Sequence, residues 1–185
     1  MNKNTTKQML ATEYKCVDAD ICLNESFGDL IFTIRRIKKQ NATTIAKLAN
    51  TDRGRLRKHE KGQMECPVKK ADELCQALGF KMFIIFKPID CKGFEYKCNW
   101  QDVPKALCYL RVLTGQSRRS VVNQLVGIKN IHNQDLTDNI YTAYNRITQY
   151  ESGATNVSIS FLATMAKFYK HSVSISLVAK EPCSA

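Results

Sequence analysis

The chain has 185 residues, of which 44% are hydrophobic and 24% charged, a composition typical of one medium-sized or two small globular domains. Its net charge is +11, and the excess follows residue 26, with +7 in residues 27–90 and +5 in residues 91–185. No apolar run could span a bilayer and the first residues lack the apolar core of a signal peptide, so we expect a cytoplasmic protein without a membrane partner. The basic excess favours a polyanion such as nucleic acid.

The first half of the chain, residues 27–90, follows a tail over residues 1–26 and predicts four helices and a strand. Apolar residues at helical spacing indicate the helices, with a candidate N-cap at Ser26 and a glycine stop at Gly79. A run of β-forming residues that ends at Pro88 indicates the strand. The predicted elements are a helix after Ser26, helices at about 43–49 and 53–60, a helix from Pro67 to Gly79, and a strand at Met82–Phe86.

The second half, residues 104–180, repeats this plan after a linker over residues 91–103, which Phe94 and Trp100 are expected to fold back onto a core. An insertion at about 126–141 separates its second and third helices. In the last element serines alternate with apolar residues, which predicts a strand with one solvent-exposed face. The predicted elements are a helix opened by Pro104 and ended by Gly115, helices at about 118–125, 142–151 and 158–169, and a strand at His171–Val178.

The eight cysteines form no Cys-x-x-Cys pair, and the three histidines do not lie beside cysteine pairs. Structural zinc sites usually place two ligands about two to four residues apart, so we expect no metal and no cofactor. Cys91, Cys98 and Cys108 would be the members of any metal or redox group. The sequence also lacks a Ser/His/Asp constellation and a phosphate-cradling glycine loop, and we therefore expect no catalytic residues and no enzyme.

Residues 42–62 carry the most specific pattern in the chain. Ala46 is small enough for two helices to cross closely, Asn50 tolerates the left-handed backbone of a sharp turn, and Asp52 can cap the next helix. The segment closely resembles the helix-turn-helix of the Cro/CI-repressor type, also called the XRE family. The resemblance implies a mainly α fold with two tandem λ-repressor-like helix-turn-helix domains, each followed by a short β-strand.

The resemblance also implies a structural ion pair in each half. In this family an Arg of the first helix pairs with a Glu at the end of the third, which corresponds to Arg35 with Glu60 and to Arg111 with Glu151. Residues 142–153 resemble the same third helix, but Val122 replaces the small Ala and the insertion replaces the tight turn. The second copy could therefore contact DNA, or it could be a dimerisation or partner module.

In the family the third helix lies in the major groove and contacts base edges. The resemblance therefore implies DNA-binding residues in both halves. Arginine favours guanine, whereas Asn and Gln favour adenine, so the two halves would prefer different sequences. The implied residues are Thr43, Thr44, Arg53, Gly54, Arg55, Arg57 and Lys58 in the first half and Arg118, Arg119, Tyr144, Asn145, Arg146, Thr148 and Gln149 in the second.

The strand after each helical bundle is similar to that of HipB-type antitoxin regulators, in which it joins two domains. Here Met82–Phe86 and Val173–Leu177 could pair within one chain as a pseudo-dimer, pair between two chains of a homodimer, or each cap its own core. The expected function is a sequence-specific DNA-binding transcriptional regulator, a repressor or an activator, with double-stranded DNA as its partner. The alternative is an antitoxin that binds a toxin protein and autoregulates its promoter.

Overall fold

The computed structural model describes residues 14–16, 23–90, 94–126 and 140–180, which are mostly helical with a small antiparallel sheet. None of the described helices has the length and apolar character needed to cross a membrane. In chain order the elements are β1 (Tyr14–Cys16), α1 (Leu23–Ile37), α2 (Ala42–Leu48), α3 (Arg53–Glu60), α4 (Val68–Ala77), β2 (Phe80–Pro88), β3 (Tyr96–Cys98), a 3₁₀ turn (Trp100–Asp102), α5 (Val103–Leu113), α6 (Arg118–Val126), α7 (Ile140–Ser152), α8 (Ile159–Phe168) and β4 (His171–Ala179).

Local signals determine several helix ends, and the predictions made from Asp52, Asn50 and Gly79 are confirmed. α3 begins directly after Asp52, whose Oδ1 accepts a hydrogen bond from the Arg55 backbone N–H at 2.8 Å. Asn50, in the turn before α3, has a φ of 47°, and Gly79, after α4, has a φ of 85°. Both are left-handed conformations that Gly and Asn adopt most readily, so these residues end the helices where the sequence predicts.

Two predictions about the ends of the first half are wrong. Ser26 does not cap α1, because the helix begins three residues earlier, at Leu23. No proline or glycine lies between Leu23 and Phe27 to interrupt the helix there. Residues 1–26 are not merely a tail, since Tyr14–Cys16 form β1 and pair with β4. A three-residue strand has too short a pattern to be recognised locally and depends on its partner for its hydrogen bonds.

The linker predicted at residues 91–103 also contains structure. Tyr96–Cys98 form β3 and pair with β2, and Trp100 packs against the core, whereas Phe94 is 95% exposed. The predicted insertion at about 126–141 falls largely on residues 127–139, which lie outside the described residues.

The sheet has the strand order β1-β4-β2-β3, and every neighbouring pair is antiparallel. β2 and β4 are the two central strands and pair along their whole length, from Phe80 opposite Ala179 to Pro88 opposite His171. Of the three alternatives for these strands, the structure therefore has the intrachain pair. The serine face of β4 is less exposed than predicted, with Ser176 buried, because β4 has a neighbouring strand on each side.

The two halves have corresponding elements and special backbone positions. Arg35 corresponds to Arg111, 76 residues later, and Glu60 to Glu151, 91 residues later, which locates the extra 15 residues between them. Positive φ angles recur at corresponding positions, at the end of the first helix, after the third helix and before the long strand: Lys39 and Gly115, Gly62 and Gly153, and Gly79 and Lys170.

One continuous hydrophobic core joins the halves. It includes Ile34 and Leu56 from the first helical bundle, Leu110 and Ile147 from the second, and the inward residues of both central strands. Each bundle is small, and a larger shared core buries a greater fraction of the chain's apolar surface. The sheet therefore holds the two bundles in a fixed relation to each other.

Candidate nucleic-acid interface

Helix α3 buries one face and exposes the other. Leu56, His59 and Glu60 are buried, whereas the side chains between them point outward. The residues predicted to contact DNA from this helix are all exposed, namely Arg53, Gly54, Arg55, Arg57 and Lys58. At the N-terminus of α3, the hydrogen bond from the Arg55 backbone N–H lowers the pKa of the Asp52 carboxyl, which stabilises the charged cap.

The predicted pair of Arg35 with Glu60 fastens α3 to α1. Arg35 Nε donates to Glu60 Oε1 at 2.6 Å and Nη2 donates to Oε2 at 3.0 Å, while Nη1 donates to the Gln40 carbonyl at 3.2 Å. Both side chains are largely buried, and the two parallel hydrogen bonds fix the direction as well as the distance. Gly28 lets α1 approach closely here, since an added Cβ would lie 2.3 Å from the His59 carbonyl oxygen.

A basic groove runs between α1 and α3 at the start of α2. Its cationic lining is Arg35, Arg36, Lys39, Arg53, Arg57 and Lys61. Thr43 and Thr44 are exposed at the start of α2, where the Thr43 backbone N–H donates to the Asn41 side chain at 2.9 Å. We call this surface the first groove. It combines an anchored helix with cations from two elements, as a phosphate backbone and base edges require.

The second half has the same anchor with one addition. Arg111 Nε and Nη2 donate to Glu151 at 2.6 and 3.0 Å, and its Nη1 donates to the Gln116 carbonyl at 3.0 Å, so α7 is fastened to α5 as α3 is to α1. Arg118 Nε donates to Glu151 Oε2 at 2.7 Å as well. The hydrogen bonds to Glu151 raise the pKa values of both guanidinium groups.

The structure places Arg118 differently from the other predicted DNA contacts. Its guanidinium belongs to the ion pair, and the corresponding residue of the first half is Ala42, which lies at the start of α2. Aligning the two halves of the sequence on their paired Arg and Glu residues would have shown only that the second half has an additional cation at this position. Arg119, the next residue of α6, is exposed.

A second groove corresponds to the first but has a different chemistry. On α7, Tyr144 and Gln149 are exposed, whereas Asn145, Arg146 and Thr148 are half-buried. Tyr144 stands where α3 has Arg53, and Gln149 stands where it has Lys58. The groove is lined by Arg111, Ser117, Arg118, Arg119, Ile140, Tyr141 and Tyr144. The exposed face of α7 therefore carries aromatic and amide side chains where that of α3 carries cationic ones, while the groove beside it is lined by three arginines.

Sequence reasoning missed some members of both grooves. Arg36, Lys39 and Lys61 line the first groove, and Ile140 and Tyr141 line the second. Arg36 and Lys39 belong to the run of basic residues that follows Arg35, so this run of positive charge could have indicated them.

In the described part of the chain, no cysteine is among the residues that line either groove. Cys98 is buried on β3, and its burial raises the pKa of the thiol to about 12. Cys108 is half-buried on α5, and Cys91 lies outside the described residues. Within the described ranges, no three His, Cys, Asp or Glu side chains are grouped so that they could hold a metal ion.

Comparison with models of protein families, with curated proteins and with solved structures finds no match to this chain. The features that bear on function are therefore the two grooves, the helices that form them and the correspondence between the halves.

Proposed function

We propose that this protein is a sequence-specific DNA-binding transcriptional regulator that acts in the cytoplasm and consists of two helix-turn-helix domains. In this proposal α3 enters the major groove of double-stranded DNA and α7 occupies the corresponding place in the second domain. The observation that carries the proposal is the outer face of α3, where four cationic side chains are exposed on a helix held by a buried bidentate ion pair.

A merely solvated basic helix would not need this support. Anchoring fixes the backbone from which Arg53, Arg57 and Lys58 project, and base recognition requires such a fixed support because each bidentate contact has a narrow geometry. Arg36, Lys39 and Lys61 flank these residues and supply positive charge for phosphates. Arginine pairs best with guanine, so the site contacted by α3 should contain G·C pairs.

The test is selection of bound duplexes from a random DNA pool, followed by affinity measurements at several salt concentrations. If about six to eight phosphates are neutralised, affinity should fall by roughly a thousandfold or more between about 50 and 200 mM salt. Arg57→Ala should weaken binding to the selected site and relax base preference there. Lys87→Ala removes one positive charge from the sheet instead and is the matched control. An unenriched pool together with a flat salt dependence would contradict the proposal.

A second candidate function is an antitoxin that binds a toxin protein and autoregulates its promoter. It is favoured by apolar side chains around the second groove, where Tyr141 is 72% and Val112 62% exposed. Val112 corresponds to Arg36 of the first half, so the second half has an apolar side chain where the first half has a charged one. Copurification of one stoichiometric protein, lost in Tyr141→Ser but retained in Arg57→Ala, would support this candidate.

A further inference from the structure

The two halves of the chain are related by an approximate two-fold axis that the backbone pairing locates. Ile84 and Ile175 are corresponding residues, 91 positions apart, and they pair directly with each other at the middle of β2 and β4. When two antiparallel strands pair so that a residue lies directly opposite the corresponding residue of the other half, a two-fold axis passes between those two residues. The axis therefore passes between Ile84 and Ile175.

A second contact lies on the same axis. Pro67 and Ser158 also correspond, and they form an isolated antiparallel bridge. Its hydrogen bonds are reciprocal, since the Val68 backbone N–H donates to the Val157 carbonyl at 2.9 Å and the Ile159 N–H donates to the Cys66 carbonyl at 2.9 Å. Two separate pairs of corresponding residues are thus related by the same two-fold rotation. Two halves joined only by a flexible linker would not show this relation.

The ends of the central strands obey the same relation. The Lys180 backbone N–H donates to the Gly79 carbonyl at 3.0 Å, and the Ile89 N–H donates to the Lys170 carbonyl at 2.9 Å. Gly79 corresponds to Lys170 and Ile89 to Lys180. The symmetry therefore extends over the whole length of the strand pair.

This symmetry determines how the two grooves face. A two-fold rotation preserves direction along its axis, so a surface of α3 that faces one end of the axis has its counterpart on α7 facing the same end. B-DNA has local two-fold axes of its own, and two-fold symmetric helix-turn-helix pairs bind inverted half-sites along one face of the duplex. A single chain already has the symmetry that other regulators of this kind obtain by joining two chains.

The sheet also limits the role of a second copy. β1 pairs with the outer edge of β4 along Ile175–Leu177, and β3 pairs with the outer edge of β2 along Ile84–Phe86. The middle of both central strands is thus occupied on both sides by strands of the same chain. Pairing of a second copy at these positions would require β1 or β3 to leave.

Resting on the proposed function, we propose that one chain occupies a complete operator composed of two inverted and unlike half-sites. α3 contacts a half-site that contains guanine through Arg53, Arg57 and Lys58. α7 contacts the other, which is rich in A·T pairs, because Asn145 and Gln149 can pair with adenine and the Tyr144 ring can contact a thymine methyl group. The half-site centres should lie about one helical turn, or a multiple of it, apart.

The experiment measures stoichiometry and sequence together on the full chain. Duplexes selected from a random pool are sequenced, and the mass of the complex on the best duplex is measured by light scattering after gel filtration. We expect one chain per duplex and two different half-sites in inverted orientation. Adding about five base pairs between the half-sites places them on opposite faces of the duplex and should reduce affinity to that of one half-site.

Paired variants assign each half-site to its helix. Arg57→Ala with Lys58→Ala should lose about 5–150-fold in affinity and become indifferent to base changes in the guanine-containing half-site. Asn145→Ala with Gln149→Ala should become indifferent only to changes in the other half-site and should retain the salt dependence, because neither side chain is charged. Asn123→Ala, an exposed neutral change on α6, is the control and should bind as the unmodified chain does.

Three outcomes overturn the inference but leave the DNA-binding proposal standing. The first is two chains bound to a symmetric operator, and the second is a selected site with a single half-site. The third is a variant with Asn145→Ala and Gln149→Ala that has the same affinity as the unmodified chain for the operator and for each of its single-base variants. The last outcome would assign the second groove to a protein partner. If no sequence is enriched and binding does not depend on salt, the DNA-binding proposal itself fails.

Discussion

The two buried ion pairs should differ in what happens when their arginine is removed. Glu60 has Arg35 as its ion-pair partner among the described residues, and its side chain is 4% exposed. Arg35→Ala would therefore leave a buried carboxylate without a counter-charge. Breaking a buried pair on one side typically costs about 3–5 kcal/mol, and the bidentate geometry places this pair at the upper end of that range.

Arg111→Ala should cost less, although the Arg111–Glu151 distances match those of Arg35–Glu60. Glu151 keeps Arg118, whose Nε lies 2.7 Å from Oε2, so the carboxylate retains a cation and loses only one of its two arginines. We expect a loss of about 1–3 kcal/mol, the cost of unsatisfied hydrogen bonds without an uncompensated charge. Arg111→Ala combined with Arg118→Ala should restore the larger loss.

The assay is urea unfolding followed by far-ultraviolet circular dichroism at 25 °C, with Arg36→Ala as the control because Arg36 is exposed on the same helix as Arg35. The predicted losses correspond to a melting temperature lower by roughly 6–20 °C for Arg35→Ala and by roughly 2–12 °C for Arg111→Ala. Equal losses for these two variants would refute the compensating role of Arg118. Equal stability of Arg35→Ala and Arg36→Ala would refute the buried pair itself.

Three further predictions concern stability and reactivity. Gly28→Ala should cost about 3 kcal/mol by overpacking, because its Cβ would meet the His59 carbonyl oxygen at 2.3 Å. Gly115→Ala, which meets no atom but has a φ of 67°, should cost only about 1 kcal/mol in the same urea assay. Burial, with Lys70 and Arg55 nearby, lowers the pKa of His59, so the unfolded chain binds more protons than the folded chain does. The contribution of His59 to stability should therefore be complete above about pH 6.5 and fall as the pH drops below that value. His59→Gln should flatten this pH dependence of the melting temperature. Burial raises the pKa of the Cys66 thiol to about 12, so iodoacetamide should label it much more slowly than the half-buried Cys108 until urea is added, and equal native rates would contradict its burial.

The sequence predicted those parts of the structure that have a local cause. The start of α3 follows from the cap at Asp52, and the preceding turn follows from the left-handed conformation of Asn50. Each of these depends on residues close in sequence or on the spacing that a helix imposes. The pairing of Arg35 with Glu60 across two helices was predicted from the resemblance of this segment to a known helix-turn-helix.

The parts that could not be predicted depend on distant partners. β1 and β3 are three residues long and exist because β4 and β2 offer them hydrogen-bonding edges. The pairing of β2 with β4 was one of three alternatives, since neither strand's own residues specify which strand will lie beside it. Nothing within α6 shows that Glu151, 33 residues later, lies next to Arg118, so this ion pair could not be predicted.

The pairing of β2 with β4 also has a consequence for synthesis on the ribosome. Ile84 is made 91 residues before its partner Ile175, which at about 5–20 residues per second is a delay of roughly 5–18 seconds. During that interval β3 can cover one edge of β2, but the other edge and the apolar residues around it have no β4 to pair with. The nascent first half therefore passes through a period in which it can associate with other nascent chains. Slow translation of the second half should lengthen that period and lower the yield of folded protein.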